Sequence, residues 1–229
     1  MNSDCLTAVI DTAALERVGG GLGSNPAGIY QDAAGQRYYV KETESVAHAR
    51  NEYIAAMLYQ LAGAPTLRYV KTKNRCQVAT LWCDLEKKNI ARFTASERRQ
   101  ARHWFAVHCW TANWDAAGFQ GDNQGVANGR VLTLDTGGAL SFRAQGDPKG
   151  KAFGVDVPEW FRLRSDPDNP QAVRLFGDIT AAEMQASLCC VTTLHDQAIR
   201  QMIQQAGGSD RLVAKMIARK AWLMKITPD

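Results

Sequence analysis

The stretch Asn113–Gly125, NWDAAGFQGDNQG, followed closely by Leu132–Leu140, LTLDTGGAL, decides how this chain is read. Aspartates and asparagines gather in one loop, and a further aspartate, Asp135, closes a short apolar run. Asn, Asp and Gly are common turn residues, because they tolerate or stabilise tight backbone conformations. The same side chains also supply oxygen donors for a cation and a carboxylate for proton transfer. The surrounding sequence chooses between a set of turns and a reaction centre.

Upstream, Arg17–Glu42 reads RVGGGLGSNPAGIYQDAAGQRYYVKE. A glycine-rich loop leads into a strand, a turn at DAAG and a second strand, which predicts a hairpin. Gly21, Gly23, Ser24 and Asn25 form a candidate phosphate-binding turn, since glycine lets backbone N–H groups approach phosphate oxygens without a Cβ in the way. Lys41 ends the second strand, within reach of a phosphate as a point charge. A solvated strand end is the other reading of Lys41.

The next segment predicts a helix over 46–62, with Ser45 as its cap and Gly63 and Pro65 ending it. Glu52 interrupts an otherwise apolar run on this helix. A carboxylate in such a place needs a partner or a solvent-facing position, and Lys41 on the neighbouring strand is the natural counterion. Two further strands follow in LRYVKTKN and CQVATLWCDL. Residues 1–88 thus read as a small strand-rich lobe around one helix.

From residue 89 the pattern becomes helical, giving a second lobe over 89–229. TASE at Thr94–Glu97 is a capping box. The helix behind it starts basic and turns apolar before the Asn/Asp loop. RVLTLD predicts a short strand, followed by an irregular segment, a helix near 180–205 and a last helix near 209–225.

Bulk composition sets limits. Apolar residues make up 45% of the 229, enough for a sizeable core, and 27 Lys and Arg against 23 Asp and Glu leave a charge of +4. No dense basic stripe suggests a nucleic-acid binder. No apolar run is long enough for a membrane span, and the first twenty or so residues lack the basic and apolar regions of a secretion signal. The expected location is the cytoplasm, or a host-cell cytosol after delivery by another route. Cys5, Cys76, Cys83, Cys109, Cys189 and Cys190 contain no CxxC pair and are expected to be buried thiols.

Chain order now carries the chemistry: a glycine loop, a lysine, a helix glutamate, a loop Asp and Asn, and a strand-end Asp. Phosphoryl transfer needs a carboxylate near the attacking hydroxyl and oxygen ligands for metal ions. Asp115 is the candidate to orient or deprotonate the hydroxyl, Asn123 a candidate magnesium ligand, and Asp135 a candidate to hold a second metal or bridge the phosphates.

Together GSNPAGIYQDAAGQRYYVKE, ARNEYIAAMLYQLAGAP, NWDAAGFQGDN and LDTGGALSFRAQG resemble atypical bacterial kinases related to the HipA toxins and the phosphatidylinositol 3/4-kinase-like group, over about residues 18–178. The resemblance implies an α+β, bilobal protein-kinase-like fold with ATP and Mg2+ in the cleft. It implies the roles above for Lys41, Glu52, Asp115, Asn123 and Asp135, and a nucleotide and a protein hydroxyl, in an effector or toxin setting, as partners. Such kinases place the metal-binding Asn about five residues after the catalytic Asp, whereas Asp115 and Asn123 are eight apart. Either the loop carries an insertion or Asp122 shares the metal role. Transfer of AMP, phosphorylation of a lipid or small molecule, and a non-catalytic nucleotide-binding module remain alternative uses of the same cleft.

Weaker signals complete the reading. Arg143, Lys149 and Lys151 are expected in a solvated loop, with binding of substrate or phosphate as the other reading. His103 and His108 are expected in the core, with Trp104, Trp110 and Trp114 packing around the loop. The last helix, basic and amphipathic, is expected to dock on the core with a wet basic edge, with membrane or partner binding as the other reading.

Overall fold

A six-stranded sheet in the order β1-β5-β6-β4-β3-β2 forms the first part of the chain. The structure, a computed structural model, describes residues 9–22 and 26–228. Gly23, Ser24, Asn25 and Cys5 therefore lie outside the described residues. The strands are β1 (Val9–Ile10), β2 (Glu16–Gly19), β3 (Ala27–Gln31), β4 (Arg37–Glu42), β5 (Tyr69–Thr72) and β6 (Gln77–Leu81). All neighbours pair antiparallel except β1 and β5. The expected hairpin is β3–β4, and its turn is held by Asp32, whose side chain accepts the N–H groups of Ala34 and Gln36.

Helix α1 (Val46–Leu61) packs on this sheet. Ser45 caps it by accepting the His48 N–H, as its sequence position predicts. The helix is apolar almost all round because both sides are covered. Ala49, Ala56 and Met57 meet the sheet residues Tyr69 and Val78, while Ile54, Leu58 and Tyr59 join the main core of the helical part.

That part contains α2 (Ala95–His103), α3 (Phe105–Trp110), a β7–β8 hairpin (Gln124–Ala127 and Arg130–Thr133), α4 (Glu159–Ser165), α5 (Pro170–Phe176), α6 (Ala181–Thr192), α7 (Asp196–Gln205) and α8 (Asp210–Leu223). Both halves of the Thr94/Glu97 capping box are formed. No helix among the described residues is long and apolar enough to cross a membrane.

Several expectations need correction. The helix after the capping box breaks at Trp104, which caps both α2 and α3. The helix expected near 180–205 is two helices, because the chain turns extended at His195 (φ −71°, ψ 135°). The irregular segment holds α4 and α5; Asn169 caps α5 and Pro170 occupies its first turn, a start signal that DNP carried. His103 is exposed rather than buried. Among the described cysteines only Cys109 is buried, since Cys76, Cys83 and Cys190 are partly exposed and Cys189 is exposed. The last helix docks as expected, but its basic side is not all wet: Arg219 is fully buried, spending its guanidinium on Glu159 and on the carbonyls of Cys109, Trp110, Gly154 and Asp156.

Candidate active site

Between sheet and helices lies a cleft of about 1080 Å³. Apolar residues including Leu67, Val78, Leu81 and Leu134 line it, together with Lys41, Glu52, Asp115, Asp122, Asn123 and Asp135. Four segments distant in sequence thus bring the predicted polar residues to one space.

Lys41 is fixed by the ladder, opposite Ala27 on β3 and Val78 on β6. Its Nζ lies 2.8 Å from Glu52 Oε2, and the two side chains are only 13% and 3% exposed. The same ammonium donates to Asp135 Oδ2 at 3.2 Å. Glu52 Oε1 accepts the Tyr69 hydroxyl at 3.2 Å, Tyr69 lies 3.1 Å from Thr136 Oγ1, and Thr136 donates to the Glu52 backbone oxygen at 3.2 Å. Asp135 Oδ1 accepts the Gly137 N–H at 2.7 Å. Gly137 has to lack a side chain, because a Cβ there would stand 2.9 Å from Glu52 Oε2 and 3.0 Å from Asp135 Oδ1.

The electrostatics follow from this cluster. Burial acts to discharge Lys41, but Asp135 and Glu52 outweigh it and raise its pKa. Burial raises Glu52 despite Lys41. Burial also opposes the charge on Asp135, yet Lys41 and the Gly137 N–H hold it below the ordinary carboxylate range.

On the opposite side, Asn123 Nδ2 donates to Asp115 O at 2.8 Å and to Asp115 Oδ2 at 3.0 Å. The eight-residue spacing closes through two tight turns, with Gly118 at φ 79° and Gly121 at φ 74°, backbone space that glycine enters freely. Asn123 thereby reaches Asp115, while Asp122 is exposed and also lines the cleft. Among the described residues no donor meets Asn123 Oδ1, the atom that would ligate a cation. Burial, then the nearby Asp135, lifts the Asp115 pKa to about 6, with the Asn123 hydrogen bond opposing the rise.

A buried network anchors this loop to α1. Tyr59 Oη lies 2.8 Å from His108 Nδ1 and accepts from Asn113 Nδ2 at 3.0 Å. Asn51 ties the segment after Asp135 to the same helix, donating to Ala139 O at 2.8 Å and accepting the Ser141 N–H at 3.0 Å. Sequence reasoning passed over Tyr69, Thr136 and Asn51, since each is an ordinary polar residue until the fold brings it to the cluster. Of the glycine loop, Gly21 is exposed, and the next N–H, of Leu22, donates to Tyr39 Oη at 3.0 Å.

Lys149 departs from expectation. Its ammonium does not face solvent but donates to Ala112 O at 2.6 Å and Gly138 O at 2.7 Å. Arg143 and Lys151 are exposed, as expected.

The donor set fits magnesium held together with phosphate. No group of three or more His, Cys, Asp or Glu side chains converges among the described residues. Magnesium in phosphoryl-transfer sites takes one or two protein carboxylates and completes its shell with water and phosphate. Asp135 would supply one such carboxylate and the Asn123 amide oxygen a second protein ligand. Asp135 and Asp122 both act against the charge on Asp115.

No family model and no curated protein matches this sequence. Among solved structures, the Helicobacter pylori proinflammatory kinase CtkA is similar, with a TM-score of 0.59 and 13% identity over 95% of this chain and 94% of that one. An aminoglycoside phosphotransferase from Alicyclobacillus acidocaldarius gives a TM-score of 0.38 at 13% identity, over 97% of this chain and 96% of that one, too distant to carry an argument. The likeness to CtkA extends over nearly the whole of both chains, so the chain has a bilobal α+β, protein-kinase-like fold.

Proposed function

We propose that the protein is an ATP- and magnesium-dependent kinase that transfers the γ-phosphate to a protein hydroxyl, of the kind found among atypical bacterial kinases related to HipA. One observation carries the reading: the Lys41–Glu52–Asp135 cluster and the Asp115–Asn123 pair line one cleft together with apolar side chains. An apolar slot suits a purine, and a cation beside two carboxylates suits its phosphates.

In this reading Lys41, held rigid by Glu52, holds the donor phosphates. Asp135 and Asn123 would hold magnesium, which when bound neutralises phosphate charge. Asp115 orients the acceptor hydroxyl and takes its proton; the Asn123 N–H fixes the carboxylate's direction. Tyr69 and Thr136 keep Glu52 from turning away. Phe119 and Arg162, which line the cleft and are exposed, are candidates to meet an acceptor chain.

The test is incubation with Mg2+ and ATP labelled separately at the α and γ positions, with candidate protein acceptors and mass spectrometry of the products. Label from the γ position on a protein Ser, Thr or Tyr supports the reading. Label from the α position alone would make the protein a nucleotidyl transferase, and binding without transfer would make it a recruiting module.

A further inference from the structure

Five Lys and Arg side chains line the cleft. Lys87, Arg143 and Arg162 are exposed, and Lys41 is held by two carboxylates. Lys149 is the remaining one, and its carbonyl partners belong to the two loops that carry the reactive residues. Ala112 lies just before Asp115, and Gly138 just after Asp135. The backbone of these loops is strained where they meet: Ala112 has φ 54° and Leu140 φ 53°, and the Leu140 N–H donates to Thr111 O at 2.7 Å. Residues other than glycine hold such conformations only where the surroundings enforce them, and they cluster at functional sites. Gly138 also packs against Asp115, with 3.3 Å between its would-be Cβ and the Asp115 Cβ.

An ammonium has three N–H donors. Two are spent on the strap, and among the described residues no third acceptor meets Lys149. We propose that Lys149 is a catalytic residue that straps the Asp115 loop to the Asp135 loop and gives its remaining N–H to a non-bridging oxygen of the phosphoryl group in transfer. The inference rests on the kinase reading above.

The step balances without a further reactant. The acceptor oxygen forms a bond to the γ-phosphorus, and the bond from that phosphorus to the β,γ-bridging oxygen breaks, its electron pair leaving with ADP. The acceptor proton passes to Asp115. Lys149 keeps its proton throughout and supplies a donor aimed at the charge that moves, from a site already built for it.

The surroundings of Lys149 give an independent readout. Burial lowers its pKa to about 7, with Arg219 and Arg143 adding to the effect and Glu159 and Asp115 opposing it. An anionic γ-phosphate beside the amine would raise that value, and on this proposal a nucleotide ending at the β-phosphate leaves it unchanged.

The experiment compares the parent protein with Lys149→Met and Lys149→Arg. In the nucleotide-free protein, 13C-labelled lysine should show one Cε signal titrating near pH 7 that Lys149→Met lacks. Mg2+ with a non-hydrolysable ATP analogue should move that titration to higher pH, and Mg-ADP should leave it in place. Transfer by Lys149→Met should fall about 10²-fold or more, the scale of losing one preorganised donor, while Mg-ADP affinity stays within about threefold. Lys149→Arg, which keeps a cation and its donors, should recover about a tenth of parental transfer. Parental transfer by Lys149→Met, or a signal that ADP shifts as far as the ATP analogue does, overturns the proposal. If melting curves show that Lys149→Met does not fold, the parent's titration and the Arg variant decide. A parent that neither binds Mg-ATP nor transfers its γ-phosphate overturns the kinase reading and this proposal with it, whereas an active parent matched by Lys149→Met overturns the Lys149 role alone.

Discussion

Asn123 Nδ2 donates to both the backbone and the carboxylate of Asp115, at 2.8 and 3.0 Å, across eight residues of chain. The pair makes the loop one unit, with the carboxylate aimed by the amide. Asp115→Ala should therefore lower transfer by roughly 10²-fold or more, the scale of a lost general base, with nucleotide affinity within a few-fold of the parent. Asn123→Ala should raise the magnesium concentration needed for activity and lower transfer, because it removes both a ligand and the aim of Asp115. Asp122→Ala should stay near the parent. Transfer rates and Mg-ATP affinities measured side by side check this; a dead Asp122 variant beside an active Asp115 variant would move the centre along the loop.

Glu52 is 2% exposed and answers the Lys41 charge. Glu52→Ala should leave Lys41 drawn towards Asp135 alone and cost about 3 kcal/mol of stability, the scale of breaking a buried pair. Chemical unfolding reads the stability, and titration with Mg-ATP should show binding weakened as the lysine turns from the phosphates. A variant as stable as the parent would mean that water already shields the pair.

Gly137→Ala introduces a methyl group against two carboxylate oxygens. It should destabilise by about 1–3 kcal/mol, the range for overpacking, and impair transfer more than its distance from the acceptor would suggest. Gly129→Ala is the control for a glycine in open space, although its φ of 72° brings a strain cost of its own. Equal transfer by the two variants would count against the tight Gly137 cluster.

His108 is fully buried, and burial depresses its pKa from 6.5 to about 3. Between these values the unfolded chain takes up a proton that the folded chain refuses. Stability should therefore rise with pH across this window, by up to about 1.4 kcal/mol per pH unit from this group, and be fully present above it. Melting temperatures from pH 4 to 7 should show the slope, and His108→Gln should flatten it while leaving a partner for the Tyr59 hydroxyl. An unchanged slope would assign the acid sensitivity to other groups.

Local signals were legible where one residue type answers one backbone need. Ser45 before an apolar run, the Thr94/Glu97 box and the DAAG turn each fold as their patterns require. Glu52 was legible for a different reason: a carboxylate inside an apolar helix must find a cation, and the adjoining strand carried one. The two helices inside the segment expected to be irregular were missed because each is short. Asn169–Pro170 was read as a turn when it was a helix start. The breaks at Trp104 and His195 were missed because periodicity runs across them.

The order of polar residues along the chain, Lys41, Glu52, Asp115, Asn123 and Asp135, was set down by the sequence alone, and with it the kind of site to expect. Tertiary structure alone decided which atoms meet. Gly118 and Gly121 fold the long loop back so that Asn123, and not Asp122, reaches Asp115. Tyr69 and Thr136 enclose Glu52 only because β5 and the Asp135 loop converge on α1. Lys149 lies in a stretch whose composition reads as solvent-facing, yet its ammonium spans two loops whose carbonyls no periodicity reveals. Short-range pattern reflects what each segment needs from its own backbone and burial, whereas a long, flexible side chain such as lysine takes its place from whatever acceptors the fold brings within its reach.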